Sequence, residues 1–336
     1  MTEPMTPASV APADPSANGN GHAPAPQEPQ FRPLAPSWSR GDRAGVGLSW
    51  AAGIALCLIA GAIVVFMGYK GLQYINLDML TQSPKPGLDQ SKTGGFLDPI
   101  AGTLILALMG TAIALPLGIA IAVWLSEYGR PNGLARMVES GIEMIAGMPS
   151  IVLAIFGLLI FSQGIFGFLS FTAEGGAVFG RSFFAAAAMM SLIALPLVVG
   201  ATREALDAIP RHVREASYAL GKDRISTIRR VLLPSSRSGI ATGATLGMGR
   251  IIGDTAIVVI LLGASLTLDA ADDTPVLGTL RGTGGTLTSF VYNNSPAGEG
   301  NAPEKAYAAA FVLLIAVVLL NFLVDVTVRR RKSNWA

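Results

Sequence analysis

Two oppositely charged residues, Arg250 and Asp254, stand four apart inside an otherwise apolar run of the chain. At a bilayer centre each costs about 2.5–3.5 kcal/mol on insertion scales, so their presence there needs a reason. Residues four apart lie on one helix face and can pair, and such a pair is expected to face a bundle interior. Two uses fit. One is a structural ion pair that stabilises packing. The other is an element of an anion path, because a planar guanidinium suits forked hydrogen bonds to an oxyanion. In that second use Asp254 holds Arg250 in place and keeps the anion from binding too tightly to leave. Gly247, Gly249 and Gly253 beside them permit close approach of a neighbouring helix.

A second constellation is too polar to cross a membrane. It reads Glu215-Ala216-Ser217-Tyr218-Ala219-Leu220-Gly221, then nine residues, then Val231-Leu232-Leu233-Pro234. Pro210 can open a helix near its first turn. Ala216, Ala219 and Leu220 then make an apolar stripe at helical spacing. Gly221 fits a helix C-terminus that needs a positive φ. A second short helix is expected to run to Leu233, with Pro234 stopping it. Taken locally, this is an amphipathic hairpin that rests on a lipid surface.

The elements that position these residues follow from composition. Of 336 residues 51% are hydrophobic and only 14% charged, against about 25% charged in soluble chains. Apolar blocks at 46–68, 100–125, 137–161, 182–200, 239–268 and 307–328 predict six transmembrane helices and an all-α membrane protein. The third is interrupted at Gly147-Met148-Pro149-Ser150, a break tolerated where protein or a water-lined cavity surrounds it. Residues 1–40, rich in Pro, Ala, Ser, Asn and Gly, are expected to be a disordered cytoplasmic tail without a secretory signal. The transmembrane domain is expected over 41–336, with the polar segment at 203–238. Lys and Arg are densest in 203–238, in Arg329-Arg330-Arg331-Lys332, and around Arg130 and Arg136. That bias puts both termini and the polar segment on the cytoplasmic face. The basic C-terminus is then a topology anchor and not a nucleic-acid site. The outer stretch 269–305, rich in Gly, Thr, Asn and Asp, is either a flexible connector or a docking surface for an outer partner. The lone Cys57 excludes an internal disulfide.

The second constellation resembles a known motif: Glu-Ala-Ala, three residues, Gly, nine residues, Ile-x-Leu-Pro, the cytoplasmic signature of ABC importer permeases. Ser217 and Val231 are its two conservative departures. The resemblance implies the type I ABC importer permease (MetI-like) fold. It also implies that Glu215, Ala216, Ser217, Gly221, Val231, Leu233 and Pro234 couple to a separate ATPase. Arg250-Ile251-Ile252-Gly253-Asp254-Thr255-Ala256 is similar to the Arg-x-x-Gly-Glu-Thr signature of phosphate-specific ABC permeases, with Asp254 one methylene shorter than the usual Glu. Further matches are Gly94-Gly95, Leu115-Pro116-Leu117-Gly118, Ser126-Glu127-Tyr128-Gly129 and Ala146-Gly147-Met148-Pro149-Ser150. Gly94-Gly95 and the Asp-Thr-Ala ending favour the PstA type over PstC. An arginine common in the family at the end of span four is replaced by Gly200.

What the resemblance implies is a transport subunit and not an enzyme. Arg250, Asp254, Gly253 and Thr255 border the substrate path. A PstC-type permease is the partner, a PstB-type homodimer binds ATP and Mg, and a PstS-type protein delivers inorganic phosphate to the outer face of a bacterial plasma (inner) membrane. No cofactor or metal is expected in this chain, which has no G-x-x-x-x-G-K-[ST] run. A PstC-type permease, an importer of another oxyanion and a secondary transporter are the alternatives. An intramembrane enzyme is disfavoured by the lack of a Ser/His pair, an HExxH motif or paired intramembrane aspartates. Glu139, Glu143 and His212 are read as solvated helix residues, and Thr103 and Ser150 as packing or path-lining hydroxyls.

Overall fold

The computed structural model describes residues 39–84, 94–129, 133–170, 180–263, 275–296 and 302–330. The described residues are helical and contain no strand. In order the helices are α1 (Arg40–Tyr74), α2 (Leu77–Thr81), α3 (Leu97–Val123), α4 (Gly133–Gly147), α5 (Ser150–Phe161), α6 (Phe183–Asp207), α7 (Arg211–Ala219), α8 (Arg224–Thr227), α9 (Leu233–Ser235), α10 (Arg237–Gly253), α11 (Pro275–Arg281), α12 (Leu287–Asn294) and α13 (Pro303–Arg330). Three π-helical turns, Trp124–Tyr128, Ile228–Leu232 and Val258–Leu262, extend or join them. The tail expected over 1–40 lies outside the described residues, apart from its last two.

The chain divides into two compact units, 1–59 and 60–336. In the first, Ser39 and Asp42 bond reciprocally to each other's backbone N–H and cap the start of α1. The apolar side chains that follow, Leu48, Trp50, Leu56 and Leu58, are all exposed. Apolar surface of this extent is stable only against lipid or another chain.

In the second unit α3, α6 and α10 pack together at the centre. α6 contributes most to the main core, with Phe183, Met190, Ile193 and Val198 buried against Leu106 and Ala114 of α3 and Ile251 of α10. A separate cluster joins Ala122 and Leu125 to Ala135 of α4, Leu206 of α6 and Ile228 and Leu232 of the polar segment. Pro116 and Pro196 lie inside α3 and α6 without ending them.

Of the six expected spans, four are uninterrupted: Gly41–Tyr74, Leu97–Tyr128, Phe183–Asp207 and Pro303–Val326. The third run is a bent pair, α4 and α5, turned by 108° at Pro149. The fifth departs further from expectation. α10 ends at Gly253, Asp254 is extended at φ −84° and ψ 124°, and a π-helical turn follows. Residues 264–268 lie outside the described set.

The stretch 269–305 lies partly outside the described residues. Within it, 282–290 packs into the bundle. Thr286, Leu287, Ser289 and Phe290 are buried. Thr103 donates from Oγ1 to the Pro99 carbonyl (2.7 Å) and accepts from the Leu287 N–H (2.9 Å), so it ties this stretch to α3. A Cβ at Gly102 would overlap the Gly285 carbonyl. Hydroxyls that bond one another and the backbone, as in the Thr286–Ser289 capping box, satisfy their own donors and can be buried.

Candidate functional site

The polar segment forms because α6 cannot continue past Asp207. Pro210 caps α7 from an extended backbone, and α7 ends at Ala219 with Leu220 as its C-cap. Gly221 takes φ +74°. Its N–H bonds to the Tyr218 carbonyl (2.9 Å) and the Lys222 N–H to the Ser217 carbonyl (3.2 Å), the paired bonds of a Schellman turn. Replacing Gly221 by Val is expected to destabilise this turn by about 1–2 kcal/mol, because a β-branched residue is poorly accommodated at positive φ. Faster limited proteolysis between α7 and α8 would report it, and an unchanged cleavage rate would contradict it.

Ser217 does not face outward. It is buried, and its Oγ lies 2.9 Å from Thr227 Oγ1, which pins α7 to α8. The exposed surface of the turn is Glu215, Ala216, Tyr218, Ala219, Leu220, Gly221 and Ile225. Val231, Leu233 and Pro234 are half-buried at the return into the bundle. Pro234 does not stop the helix as expected. A π-helical turn at Ile228–Leu232 precedes it and α9 carries it near its start. In a first turn the missing proline N–H breaks no bond, so the chain passes on to α10.

The charged pair is also arranged differently from expectation. Arg250 Nη2 lies 3.7 Å from Asp254 Oδ2, with side chains 44% and 3% exposed respectively. Asp254 is not on the helix. It follows the last helical residue, and its Oδ1 accepts from the Ile257 N–H at 3.0 Å, which caps the next turn. Arg250 is not inside this chain's bundle. It stands on an open stripe of α10 with Thr242, Leu246 and Gly253. Among the described residues no atom lies within 4 Å of a Cβ built at Gly249 or Gly253, so neither receives another helix of this chain. The glycines that do are Gly243 and Gly247, against Val198 of α6. Thr255 is half-buried beyond the break. One face of α10 thus carries a guanidinium backed by a fixed carboxylate, a geometry suited to holding an oxyanion loosely.

Several connections were not foreseen. Arg203 of α6 pairs with Glu139 of α4 (2.6 Å) and Asp207 (3.6 Å). Arg214 of α7 reaches Glu127, and Arg224 of α8 lies over the Tyr128 ring, 4.9 Å from its centroid. For the last two the signal in the sequence is Ser126-Glu127-Tyr128-Gly129. Lys305 is buried and donates to the Gly94 carbonyl. His212 and Glu143 are exposed, as expected.

Comparison with known proteins bears on this geometry. The chain is 34% identical over 241 residues to "Phosphate transport system permease protein PstA 1" of Mycobacterium tuberculosis (strain CDC 1551 / Oshkosh), covering 72% of this chain and 73% of that one. It is 29% identical over 248 residues to "Phosphate transport system permease protein PstC" of Xylella fastidiosa (strain 9a5c), covering 70% and 72%. The crystal structure of a bacterial alginate ABC transporter, in complex with an alginate pentasaccharide-bound periplasmic protein, contains a chain that superposes with a TM-score of 0.58 at 15% identity. The match covers 86% of this chain and 95% of that one and bears out the expected importer-permease fold. The pattern of one family spans 114–333, from the middle of α3 through the polar segment and the α10 pair into α13. With that span matched, the chain belongs to the binding-protein-dependent transport system inner membrane components.

Proposed function

We propose that this multi-pass membrane protein is the PstA-type permease of an ATP-driven phosphate importer. In this reading a PstC-type permease completes the pathway, a PstS-type protein delivers inorganic phosphate outside, and a PstB-type ATPase pair binds ATP and Mg inside. The observation that carries it is Arg250 on the open stripe of α10, with Asp254 fixed behind it by the Ile257 N–H. An open stripe of a membrane helix that bears a cation needs a second wall, and the partner permease supplies one. Names of relatives such as the PstA 1 protein support phosphate as cargo.

Both termini and 203–238 are cytoplasmic in this reading, from the density of Lys and Arg there. The exposed turn around Gly221 enters a groove on the ATPase. ATP binding closes the ATPase pair, the turn follows, and the helices reorient so that the anion near Arg250 meets first the outer and then the inner face. This chain binds, orients and releases; hydrolysis is done by the partner.

Reconstituted uptake of labelled phosphate tests the reading. Uptake is expected to require ATP, the co-expressed ATPase and the loaded binding protein. Uptake that persists without the ATPase, driven by an ion gradient, would identify a secondary transporter. Preferential uptake of sulfate or molybdate would keep the importer and replace its cargo.

A further inference from the structure

α7 is poorly anchored by packing. Its one buried residue is Ser217, which faces α8 and not the membrane helices. Its firm attachment to the rest of the protein is polar. Arg214, only 17% exposed, donates from Nε to Glu127 Oε1 (3.0 Å), from Nη1 to the Ile209 carbonyl (2.7 Å) and from Nη2 to the Leu206 carbonyl (2.9 Å). The last two lie at and just past the end of α6, and the Leu206 carbonyl accepts from the Ile209 N–H as well (3.2 Å). One guanidinium therefore joins α7, the end of α6 and the end of α3.

The acceptor side is equally specific. At the end of α3 the chain widens into the π-helical turn Trp124–Tyr128, closed by the Gly129 N–H on the Trp124 carbonyl. The wide turn sends three consecutive side chains to three different elements. Ser126 Oγ donates to Asp207 Oδ1 at the end of α6 (2.8 Å). Glu127 takes Arg214 of α7. Tyr128 lies under Arg224 of α8. π turns recur where geometry of this kind is put to use.

We propose that Ser126, Glu127 and Tyr128 form a clasp that grips both helices of the polar segment and turns their displacement into motion of α3 and α6. These are positioning residues: they act through the segment and not on the anion. The inference rests on the reading that 203–238 docks on an ATPase. Packing alone would let α7 slide without moving the bundle. Three charge-assisted bonds from one side chain, two of them to the end of α6, do not permit that slip.

The test uses the full complex, both permeases with the ATPase and binding protein, in proteoliposomes, with inorganic phosphate as the probe. Variants are Glu127→Ala, the milder Glu127→Gln, Arg214→Ala, the Glu127→Ala/Arg214→Ala pair, Tyr128→Leu and Tyr128→Phe. Phosphate moved per ATP is expected to fall about fivefold or more in Glu127→Ala and Arg214→Ala, less in Glu127→Gln, and no further in the double variant, since the residues share one interaction. Maximal uptake should fall while the half-saturating concentration of loaded binding protein holds. Tyr128→Phe keeps the ring under Arg224 and should behave as the parent, whereas Tyr128→Leu should not. A purely structural role would lower the amount of complex and leave the ratio per ATP unchanged. An unchanged ratio, or losses that add in the double variant, overturns the clasp. Leu220→Asp at the exposed tip is the control. If it leaves the ATPase bound, the docking reading fails and the clasp with it. If it releases the ATPase while Glu127→Ala keeps the parental ratio, the clasp alone fails.

Discussion

Replacing Arg250 with alanine is expected to cut ATP-driven phosphate uptake about a hundredfold, close to 2.7 kcal/mol of lost stabilisation along the path. The complex should still assemble. The side chain is 44% exposed on the open stripe of α10 and contributes nothing to the clusters that hold α10 against α6, α3 and α13. Arg250→Lys should recover only part of the rate, because an ammonium keeps the charge and loses the fork. Asp254 separates this account from a structural ion pair. Its carboxylate is buried and caps the following turn through Oδ1, so Arg250→Ala leaves the other oxygen without its counter-charge. If the pair is structural, Arg250→Ala should lower the melting temperature, and Arg250→Ala/Asp254→Asn should restore both stability and uptake, since asparagine keeps the capping oxygen. If Arg250 meets the anion, the double variant regains stability and stays inactive. Wild-type uptake by Arg250→Ala would remove it from the path.

Much of this arrangement was legible because it is written in local chemistry. The positive φ of Gly221 follows from a glycine at the end of an amphipathic run, where other residues pay a steric penalty. The span positions follow from apolar length, because bilayer thickness sets that length. What failed to show was direction and face. The proline at 149 announced a break but not a 108° turn, which packing of α5 on α6 sets. Apolar periodicity carried the fifth span straight through Asp254. Yet Gly253-Asp254-Thr255 held a local stop signal, since aspartate prefers a cap to a helix interior. Of the three glycines of α10 expected to admit a neighbouring helix, Gly247 does so and Gly249 and Gly253 do not. Gly249 and Gly253 meet open space, while Gly243 and Gly247 meet Val198, a distinction of one helix face that composition does not carry. Buried Thr286 and Ser289 looked like loop because their hydroxyls are satisfied locally in a capping box, while what buries them is the tie from Thr103 of α3 to the Leu287 N–H, which one stretch of sequence does not show.

The other large effect is expected at the place where three helices close on a single side chain. Val198 of α6 is 1% exposed. A Cβ at Gly118 of α3 would come within 2.5 Å of its Cγ1, and one at Gly247 of α10 within 2.9 Å of its Cγ2. At Gly243 the distance to the Val198 Cα and carbonyl oxygen would be 3.2 Å. Val198 is thus held between glycines of two helices, and neither contact has a flexible end that can swing away. Gly118→Leu should therefore exceed the ordinary overpacking cost of about 1–3 kcal/mol and force α3 away from α6. The expected outcome is loss of monodisperse permease on extraction, with little folded protein at any temperature. Gly118→Ala is the informative milder form. It should lower the melting temperature, and Val198→Ala in the same chain should restore most of the loss although Val198→Ala alone destabilises, because the two changes share one contact. A Gly118→Leu protein with parental yield and melting temperature would show that α3 and α6 do not meet there. Additive losses in the alanine pair would show that the contact is not between these two residues. The same crossing bears on transport: α3 carries the Ser126 turn at one end, α10 carries Arg250, and α6 packs against both, so an α3–α6 separation is expected to cost uptake as well as stability.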